Sequence, residues 1–203
     1  MEYEDKYVKD VYNNISSNFD NTRTYTWGWI NETVNTLPKN SIICDLGCGN
    51  GRNMMNKDYN FIGVDNSKEL LKICRNKGLN VIEGEMCNIP LRSNSIDALI
   101  CIAAFHHLST VERRIKALLE MKRVVKSGGK VVISVWSIEQ PAKTRRTFNK
   151  YGDTIVKWDQ RGKIYDRYYY IFKLDEIKEL FNKVEMELES HIWDCGNEIF
   201  VLR

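Results

Sequence analysis

The chain has 203 residues, of which 43% are hydrophobic, and its formal net charge is +3. This length fits one domain with a sizeable core. No apolar run is long enough for a membrane-spanning helix, and the charged first residues contain no apolar signal region, so we do not expect secretion. The six cysteines form no Cys-x-x-Cys pair, and five lie in or beside apolar segments. We therefore expect reduced thiols, no metal site, and a cytoplasmic protein that could also be nuclear.

The spacing of apolar residues predicts two helices at the start of the chain. The first is expected over residues 3–18 and is broken at 19–23. The second is expected over 27–37 and ends before Pro38. We interpret residues 1–38 as a helical lid over a ligand.

Strands and helices alternate over residues 39–136, which we interpret as the ligand-binding core. The expected strands cover 41–46, 60–65, 80–84, 95–103 and 130–136, and the expected helices cover 51–57, 67–77 and 111–126. This alternation is typical of an α/β fold, with a parallel sheet and helices on both faces. Residues 174–203 are expected to form an amphipathic helix (174–183) and an antiparallel hairpin (184–193 with 198–202).

Residues 137–173 form a basic and aromatic insert with an irregular pattern. Between Lys143 and Arg167 the chain has eight Lys or Arg and three Asp, interleaved with aromatic residues that include Tyr151, Trp158 and Tyr165. Basic and aromatic side chains together suit phosphates and unpaired bases. A solvated surface loop is the alternative interpretation.

The first expected strand ends in the sequence Asp45-Leu46-Gly47-Cys48-Gly49-Asn50-Gly51. Glycines at alternate positions let the backbone turn sharply and let a ligand approach where a Cβ would block it. The N–H groups of a following helix would point at that ligand. A plain strand-to-helix turn is the alternative.

Asp65 ends the second expected strand, where a carboxylate can accept hydrogen bonds from both hydroxyls of a ribose. An Asp that caps the next helix is the alternative. The Asp-x-Gly-x-Gly-x-Gly spacing differs from the dinucleotide fingerprint, and it resembles the first motif of class I S-adenosylmethionine (AdoMet)-dependent methyltransferases. The resemblance implies that the methionine part of AdoMet is held by Asp45, Gly47, Gly49 and Gly51.

The same resemblance places further cofactor contacts after the third and fourth strands. The family has an Asp where this chain has Glu85; the longer Glu could still accept from the adenine amino group, and Met86 could pack on the ring. Ala103 is assigned to the AdoMet site as well. Arg23 is expected near the carboxylate of the cofactor or near the substrate.

His106 and His107 follow the fourth strand, at the edge of the sheet where ligands of α/β folds bind. Each could be a general base, because histidine titrates near neutrality. A structural role for one ring and solvent exposure for the other is the alternative. We take His106 as the catalytic candidate.

An ordered set of short motifs narrows the resemblance to one branch of this superfamily. The motifs are Tyr7–Asn13, Phe19–Arg23, Trp27, Ser109–Arg114, Trp136–Gln140, Lys157-Trp158 and Arg167–Tyr169. They resemble the eukaryotic tRNA wobble-uridine carboxymethyl methyltransferases and the methyltransferase domain fused to an AlkB-type oxygenase in animals. The resemblance implies a Rossmann-like fold with a mostly parallel seven-stranded sheet and a C-terminal antiparallel hairpin.

The implied reaction is methyl transfer from AdoMet to the carboxylate of 5-carboxymethyluridine at tRNA position 34. A carboxylate is ionised at neutral pH, so the reaction needs in-line positioning and a dry site more than a strong base. The catalytic candidates are His106, Arg23, Arg167 and Tyr168. The substrate-binding candidates are Arg113, Arg114, Trp136, Glu139, Gln140, Trp158, Arg167, Tyr168 and Tyr169.

Alternatives stay open at this point. Trp136 could be core packing, and Arg113 and Arg114 could be a solvated helix start. A small-molecule O- or N-methyltransferase would keep the glycine turn and would not need the basic insert, and a non-catalytic RNA-binding or scaffold protein is a second alternative. The resemblance implies tRNA and a small zinc-containing activator subunit, in a heterodimer, as partners. The chain departs from the family in its short insert, and in Asn197-Glu198 where the family has Asn-Trp.

Overall fold

The computed structural model describes residues 2–144 and 147–203, and one seven-stranded sheet forms its centre. The strands are β1 (Ile42–Leu46), β2 (Asn60–Asp65), β3 (Val81–Glu83), β4 (Ile96–Ile102), β5 (Val125–Trp136), β6 (Gly152–Gln160), β7 (Lys163–Ile171), β8 (Leu188–Asp194) and β9 (Asn197–Leu202). The sheet has the order β3-β2-β1-β4-β5-β9-β8. Its first five strands pair in parallel, while β9 pairs antiparallel with both β5 and β8. The expected mostly parallel sheet with a C-terminal antiparallel hairpin is therefore confirmed.

Of the described helices, three precede the first strand and three lie between later strands. They are α1 (Glu2–Glu4), α2 (Asp10–Thr22), α3 (Gly28–Val34), α4 (Lys68–Asn76), α5 (Val111–Val124) and α6 (Leu174–Lys183). A π-helical segment, Asp5–Lys9, joins α1 to α2. We call these three consecutive elements, residues 2–22, the N-terminal helix. Within the described ranges, no helix combines the length and apolar character needed to cross a membrane.

The predicted break at 19–23 is wrong, because α2 continues to Thr22. The last turn is held in place by contacts that the local pattern does not reveal. Asp20 accepts hydrogen bonds from Asn50 Nδ2 at 2.8 Å and from Lys77 Nζ at 2.5 Å. Phe19 therefore lies inside the helix, next to Gly49 of the glycine turn.

The helix expected over 51–57 is reduced to a 3₁₀ turn, Arg52–Met54. Gly51 precedes it with a φ of +76°. The carbonyl of Arg52 accepts from Thr26 Oγ1 at 2.7 Å, so this acceptor is used by a distant side chain.

The segment expected to be irregular after residue 147 forms a two-stranded sheet, β6–β7. Side chains of β6 alternate strictly between exposed and half-buried. The two-residue turn at its tip, Arg161-Gly162, has positive φ at both positions, as a type I′ turn requires. The sequence lacks the usual Asn-Gly or Asp-Gly signal, and its many charges conceal the alternation.

Two clusters of buried apolar residues fill the two faces of the seven-stranded sheet. A third, smaller cluster contains Trp136, Tyr169 and Ile171, and it joins β7 to the end of β5. Five of the six free cysteines are buried and only Cys195 is exposed. Among the described residues, no group of three or more His, Cys, Asp or Glu side chains is arranged to hold a metal ion.

Candidate active site

A cavity of about 880 Å³ opens at the carboxyl ends of the parallel strands. The N-terminal helix and the β6–β7 hairpin contribute the remaining walls. One end of the cavity is lined by Gly47, Gly49, Asp65, Glu85, Met86 and Ala103. The other end is lined by Tyr12, Arg23, His107, Trp136, Arg167 and Tyr169. The first set contains predicted cofactor contacts only. The second contains the candidates Arg23, Trp136, Arg167 and Tyr169, together with His107 and with Tyr12, for which the sequence predicted no role.

The glycine turn has the backbone conformation that its composition predicts. Gly47, Gly49 and Gly51 have φ values of +73°, +56° and +76°, in the left-handed region. A Cβ on Gly47 would lie 2.5 Å from Ala104 Cβ and 3.2 Å from Met86 Cε. Side chains are excluded here by the neighbouring strand end, so the turn forms a bare backbone surface against the cavity.

Asp65 ends β2 beside this turn, and both of its carboxylate oxygens accept backbone hydrogen bonds. Gly49 N–H donates to Oδ2 and Ser67 N–H donates to Oδ1, each at 2.8 Å. Burial raises the pKa of the Asp65 carboxyl, and these two N–H groups oppose the shift. Each oxygen retains a second lone pair, so the carboxylate can still accept two ligand hydroxyls.

Asp45 lies directly behind the cavity wall rather than in it. It is fully buried, and neither carboxylate oxygen accepts a hydrogen bond from the part of the chain that the structure describes. Burial raises its pKa to about 7; Asp65 adds to the shift, while Asn53 and Arg52 oppose it. An orphaned buried acceptor under a bare glycine turn suits a ligand that brings hydrogen-bond donors.

Glu85, Met86 and Ala103 line the same end of the cavity. Glu85 Oε1 accepts from Asn66 Nδ2 at 3.3 Å, and its Oε2 lies 3.7 Å from Arg113 Nη2. Arg113 itself is held by Glu4, because its Nε donates to both Glu4 oxygens at 3.0 and 2.9 Å. The structure thus places Arg113 behind Glu85, outside the cavity lining.

Three guanidinium groups, those of Arg23, Arg52 and Arg167, line the cavity together. Within residues 2–144 and 147–203 none of them forms an ion pair with an Asp or Glu. Burial and the neighbouring charge of Arg167 lower the pKa of Arg23, and burial and Arg23 lower that of Arg52 to about 10. Arg167 is buried and Arg23 and Arg52 are half-buried, so three cations that face one cavity without an ion-pair partner among the described residues favour an anionic ligand there.

Arg167 is only 5% exposed and is held by a series of hydrogen bonds. Its Nη1 donates to the Tyr169 hydroxyl at 2.8 Å, and the Tyr169 and Tyr12 hydroxyls lie 3.1 Å apart. The Tyr12 hydroxyl lies 3.1 Å from His107 Nε2, and His107 Nδ1 lies 2.7 Å from the Tyr168 carbonyl oxygen. Burial, with a contribution from Arg167, lowers the pKa of His107 to about 3, so its ring is neutral.

The structure places the catalytic candidate His106 outside the cavity lining. Its ring is fully buried, and Nδ1 accepts from the Trp136 N–H at 3.1 Å. Trp136 does line the cavity and stacks on Tyr169 at 4.2 Å between ring centres. His107, for which function and structure were equal alternatives, is the histidine that reaches the cavity.

Four other candidates also point away from the cavity. Tyr168 alternates with Arg167 along β7, and its hydroxyl donates to Asp153 Oδ1 at 2.7 Å. Arg114 lies over the Tyr170 ring at 3.5 Å and donates from Nε to the Leu108 carbonyl at 3.0 Å. The remaining two are Glu139 and Gln140.

The Glu139-Gln140 pair belongs to a turn next to β9. Glu139 is exposed. Gln140 Nε2 donates to the carbonyls of Ser137 and Gly196, both at 2.8 Å, and so ties the end of β5 to the β8–β9 turn. A Cβ on Gly196 would lie 2.6 Å from Gln140 Oε1. These contacts give the motif a packing role.

Trp158 contacts two of the arginines that line the cavity but does not line the cavity itself. Its ring is 5.3 Å from the Arg23 guanidinium and 4.7 Å from that of Arg167. Phe19 adds a tilted ring contact at 6.3 Å. Trp158, a predicted substrate-binding residue, thus packs against both arginines without lining the cavity.

Sequence reasoning missed several cavity residues. Arg52 follows the glycine turn directly, which was an available signal, and its guanidinium stacks on Trp27 at 4.2 Å. Tyr12 lies in a motif that was noted without a role. Two basic-segment residues, Arg145 and Arg146, lie outside the described residues.

The chain is similar to known proteins both within its central domain and along nearly its whole length. The methyltransferase domain family matches residues 44–133. The tRNA (carboxymethyluridine(34)-5-O)-methyltransferase of Schizosaccharomyces pombe is 33% identical, over 97% of this chain and 96% of its own length. The tRNA (carboxymethyluridine(34)-5-O)-methyltransferase ALKBH8 of Mus musculus is 41% identical over 79% of this chain. The chain spans only 24% of that mouse protein and about a fifth to a third of three further relatives.

Solved structures share the fold at low sequence identity. An S-adenosylmethionine-dependent methyltransferase from Clostridium acetobutylicum superposes with a TM-score of 0.70 at 14% identity, covering 95% of this chain and 98% of the other. The second is a complex between the Haloferax volcanii Trm112 methyltransferase activator and a methyltransferase. It superposes with a TM-score of 0.66 at 14% identity, covering 97% of each chain. These likenesses support the fold.

Proposed function

This chain belongs to the family of tRNA (carboxymethyluridine(34)-5-O)-methyltransferases, and we propose that it esterifies the carboxylate of 5-carboxymethyluridine at position 34 of tRNA. The observation that carries the proposal is the uncompensated pair Arg23 and Arg167 in the same cavity as the glycine turn. A substrate carboxylate is the anion that such a pair would bind. Methyl transfer to that anion is the reaction named for the nearly full-length relative.

AdoMet is the cofactor, and the residues at the glycine end of the cavity fit it. Gly47 and Gly49 offer backbone without Cβ atoms, and Asp65 has acceptor capacity for the ribose. Met86 lines the same cavity, so its side chain is available to an adenine ring. Asp45 is the orphaned acceptor behind the turn. When bound, AdoMet supplies a methyl group on a positively charged sulfur.

The chain's own residues would then bind and orient the substrate and exclude water from it. The carboxylate is ionised at neutral pH and needs no general base. His107 is neutral, and both of its ring nitrogens are already in hydrogen-bonding contact, which suits an orienting role better than proton abstraction. Arg23 and Arg167 would fix the carboxylate in line with the methyl group, where most of the catalytic gain of such a transfer arises.

The β6–β7 hairpin supports an RNA substrate. Lys157 lines the cavity, and exposed Arg161 and Lys163 lie at and beside the hairpin tip. Cations at the mouth of a cavity can bind the phosphates that flank a base inserted into it. A small-molecule methyltransferase would have no use for this placement.

We further propose that a small zinc-containing activator subunit binds this chain. The support is the family resemblance, together with a fold shared by a methyltransferase that was solved with its Trm112 activator. The test is to assay the purified chain with and without a Trm112-type protein. Full solubility, AdoMet binding and tRNA methylation by the chain alone would refute this partner. Cytoplasmic or nuclear location stays a prediction, which fluorescent tagging would test.

The main proposal is tested with an anticodon stem-loop RNA that carries 5-carboxymethyluridine at the wobble position. Mass spectrometry should detect the methyl ester after incubation with the protein and AdoMet. Arg167→Ala and Arg23→Ala should each lower kcat/KM about a hundredfold, because each removes a charged donor from the reacting anion. Exposed Arg75 on α4 provides the control, since Arg75→Ala should keep full activity. Absence of the ester from the wild-type reaction, with any required partner present, would refute the proposal.

A further inference from the structure

We propose that Tyr12 and Tyr169 are positioning residues that aim Arg167 at the substrate carboxylate. The inference rests on the proposed function, because it requires Arg167 to bind that carboxylate. It concerns the hydroxyl groups of two tyrosines, from the N-terminal helix and from β7. These hydroxyls connect Arg167 to His107 in one continuous series of hydrogen bonds.

The contacts of His107 fix the direction of every bond in this series. The Tyr168 carbonyl can only accept, so His107 Nδ1 carries the proton and donates. The ring is neutral, so Nε2 has a lone pair and accepts from the Tyr12 hydroxyl. That bond uses the single proton of Tyr12, and the Tyr169 hydroxyl must therefore donate to Tyr12.

The Tyr169 oxygen is left with lone pairs that face Arg167, and it accepts from Nη1 at 2.8 Å. A reversed series would need a protonated His107 or two donors facing each other. The hydrogen bonds therefore all point from Arg167 towards His107, and the Tyr169 oxygen is the acceptor for the guanidinium. Because Tyr169 is clamped by its stack on Trp136, at 4.2 Å and 9° between the rings, this acceptor has a fixed position.

The guanidinium of Arg167 is held at Nη1 by the Tyr169 hydroxyl, and the Tyr12 side chain also lies within hydrogen-bonding reach of it. Its Nε is buried and has no hydrogen-bond partner among the described residues. Trp158 covers one side of the group at 4.7 Å. An Arg side chain otherwise loses much rotamer entropy when it binds, so holding it in advance strengthens its contact with an anion.

Tyr12 also connects this positioning to the cofactor end of the cavity. The helix that carries it is fastened there by Asn13, which accepts from Ser67 Oγ at 2.8 Å, and by Asp20, which bonds Asn50 of the glycine turn. The series is complete only when this helix is docked. The N-terminal helix therefore contributes to the substrate site as well as covering the cofactor end.

The test uses Tyr12→Phe and Tyr169→Phe, which keep each ring and remove only the hydroxyl. The matched control is Tyr7→Phe, on the same N-terminal helix and outside the cavity lining. Each protein is titrated with two anticodon stem-loops, one with 5-carboxymethyluridine and one with the neutral carbamoylmethyl form. The measured quantity is the affinity ratio between the two RNAs, together with S-adenosylhomocysteine affinity and the melting temperature.

Wild type and Tyr7→Phe should prefer the carboxylate RNA by about tenfold or more, as charged hydrogen bonds imply. Tyr12→Phe and Tyr169→Phe should each reduce that ratio about fivefold, with S-adenosylhomocysteine affinity unchanged. A merely structural role would weaken both RNAs equally; an equal loss, or an unchanged ratio, overturns the inference. Arg167→Ala separates the two hypotheses: a full carboxylate preference without Arg167 would overturn the positioning inference, whereas the proposed function fails only if the wild-type protein forms no methyl ester.

Discussion

His106 and His107 are chemically identical neighbours, and their environments give them different roles. The 3₁₀ turn Phe105–His107 sets their rings at 89° to each other. One ring is enclosed behind Trp136 and accepts its N–H, while the other reaches the cavity and meets Tyr12. Sequence could place both histidines at the strand end, but the contacts that distinguish them come from residues 30 to 95 positions away.

Gly47 offers a test of the cofactor end at the scale of one residue. Gly47→Ala should reduce AdoMet affinity at least tenfold, because the new Cβ meets Ala104 Cβ and the backbone is left-handed. Isothermal titration with AdoMet measures this. Gly78→Ala is the matched control: its φ of +74° imposes the same strain, but no atom lies within 4 Å of the added Cβ.

Both glycine variants should lose thermal stability through the left-handed backbone, Gly47→Ala the more because its Cβ also meets Ala104, and only Gly47→Ala should lose AdoMet affinity. Unimpaired binding by Gly47→Ala would mean that the turn is not the cofactor cradle. An equal loss of binding in Gly78→Ala would assign the effect to general destabilisation.

At the scale of elements, the β6–β7 hairpin decides which of its neighbouring residues reach the cavity. Successive side chains of a strand point to opposite faces. Arg167 and Tyr169 therefore face the cavity while Tyr168 turns to Asp153. An irregular segment, as we expected from the sequence, would have allowed all three to converge.

The turn after β5 provides a prediction about an element rather than about catalysis. Gln140→Ala should lower the free energy of unfolding by about 1–3 kcal/mol, since it deletes the donor to two backbone carbonyls. KM for the anticodon stem-loop should stay unchanged. Denaturant unfolding and steady-state kinetics measure the two quantities. Glu139→Gln should alter neither, and a raised KM with normal stability in Gln140→Ala would restore a substrate role for the motif.

At the scale of the molecule, the cavity is assembled from parts that are distant along the chain. The strand ends, the N-terminal helix and the hairpin each contribute a wall. The net charge of +3 is small, so attraction to RNA depends on where the cations lie. The exposed cations of the hairpin tip, Arg161 and Lys163, are close in sequence to cavity-lining Lys157 and Arg167.

Replacing Arg161 and Lys163 together with Ala should weaken tRNA binding and reduce its salt dependence. If both contact phosphates, the slope of log affinity against log salt should fall by about 1.4 in magnitude on single-stranded RNA. The slope is measured by filter binding at salt concentrations between about 50 and 200 mM. The double variant Lys72→Ala, Arg75→Ala on α4 is the control. An equal decrease of the salt slope in this control would mean that the hairpin cations contribute no more to RNA binding than other surface cations.

Local sequence patterns were sufficient to predict the features that depend on a few neighbouring residues. The order of strands and helices in the core follows from hydrophobic spacing, and the positions of the glycine turn and of Asp65 follow from backbone rules that act over a few residues. The ordered motifs also determined the family. These features depend little on which distant segments fold against them.

Which residues share the cavity could be seen only in the folded chain. Tyr168 points away from the cavity because side chains alternate along a hairpin that the sequence did not reveal. The 3₁₀ turn places His107 rather than His106 at the cavity. The docked N-terminal helix places the Tyr12 hydroxyl next to that of Tyr169, which contacts Arg167. Each choice depends on contacts between segments far apart in sequence, whose geometry is set by packing and hydrogen-bond satisfaction across the whole molecule. Local sequence patterns identify candidate site residues, and the folded structure shows which of them line the cavity.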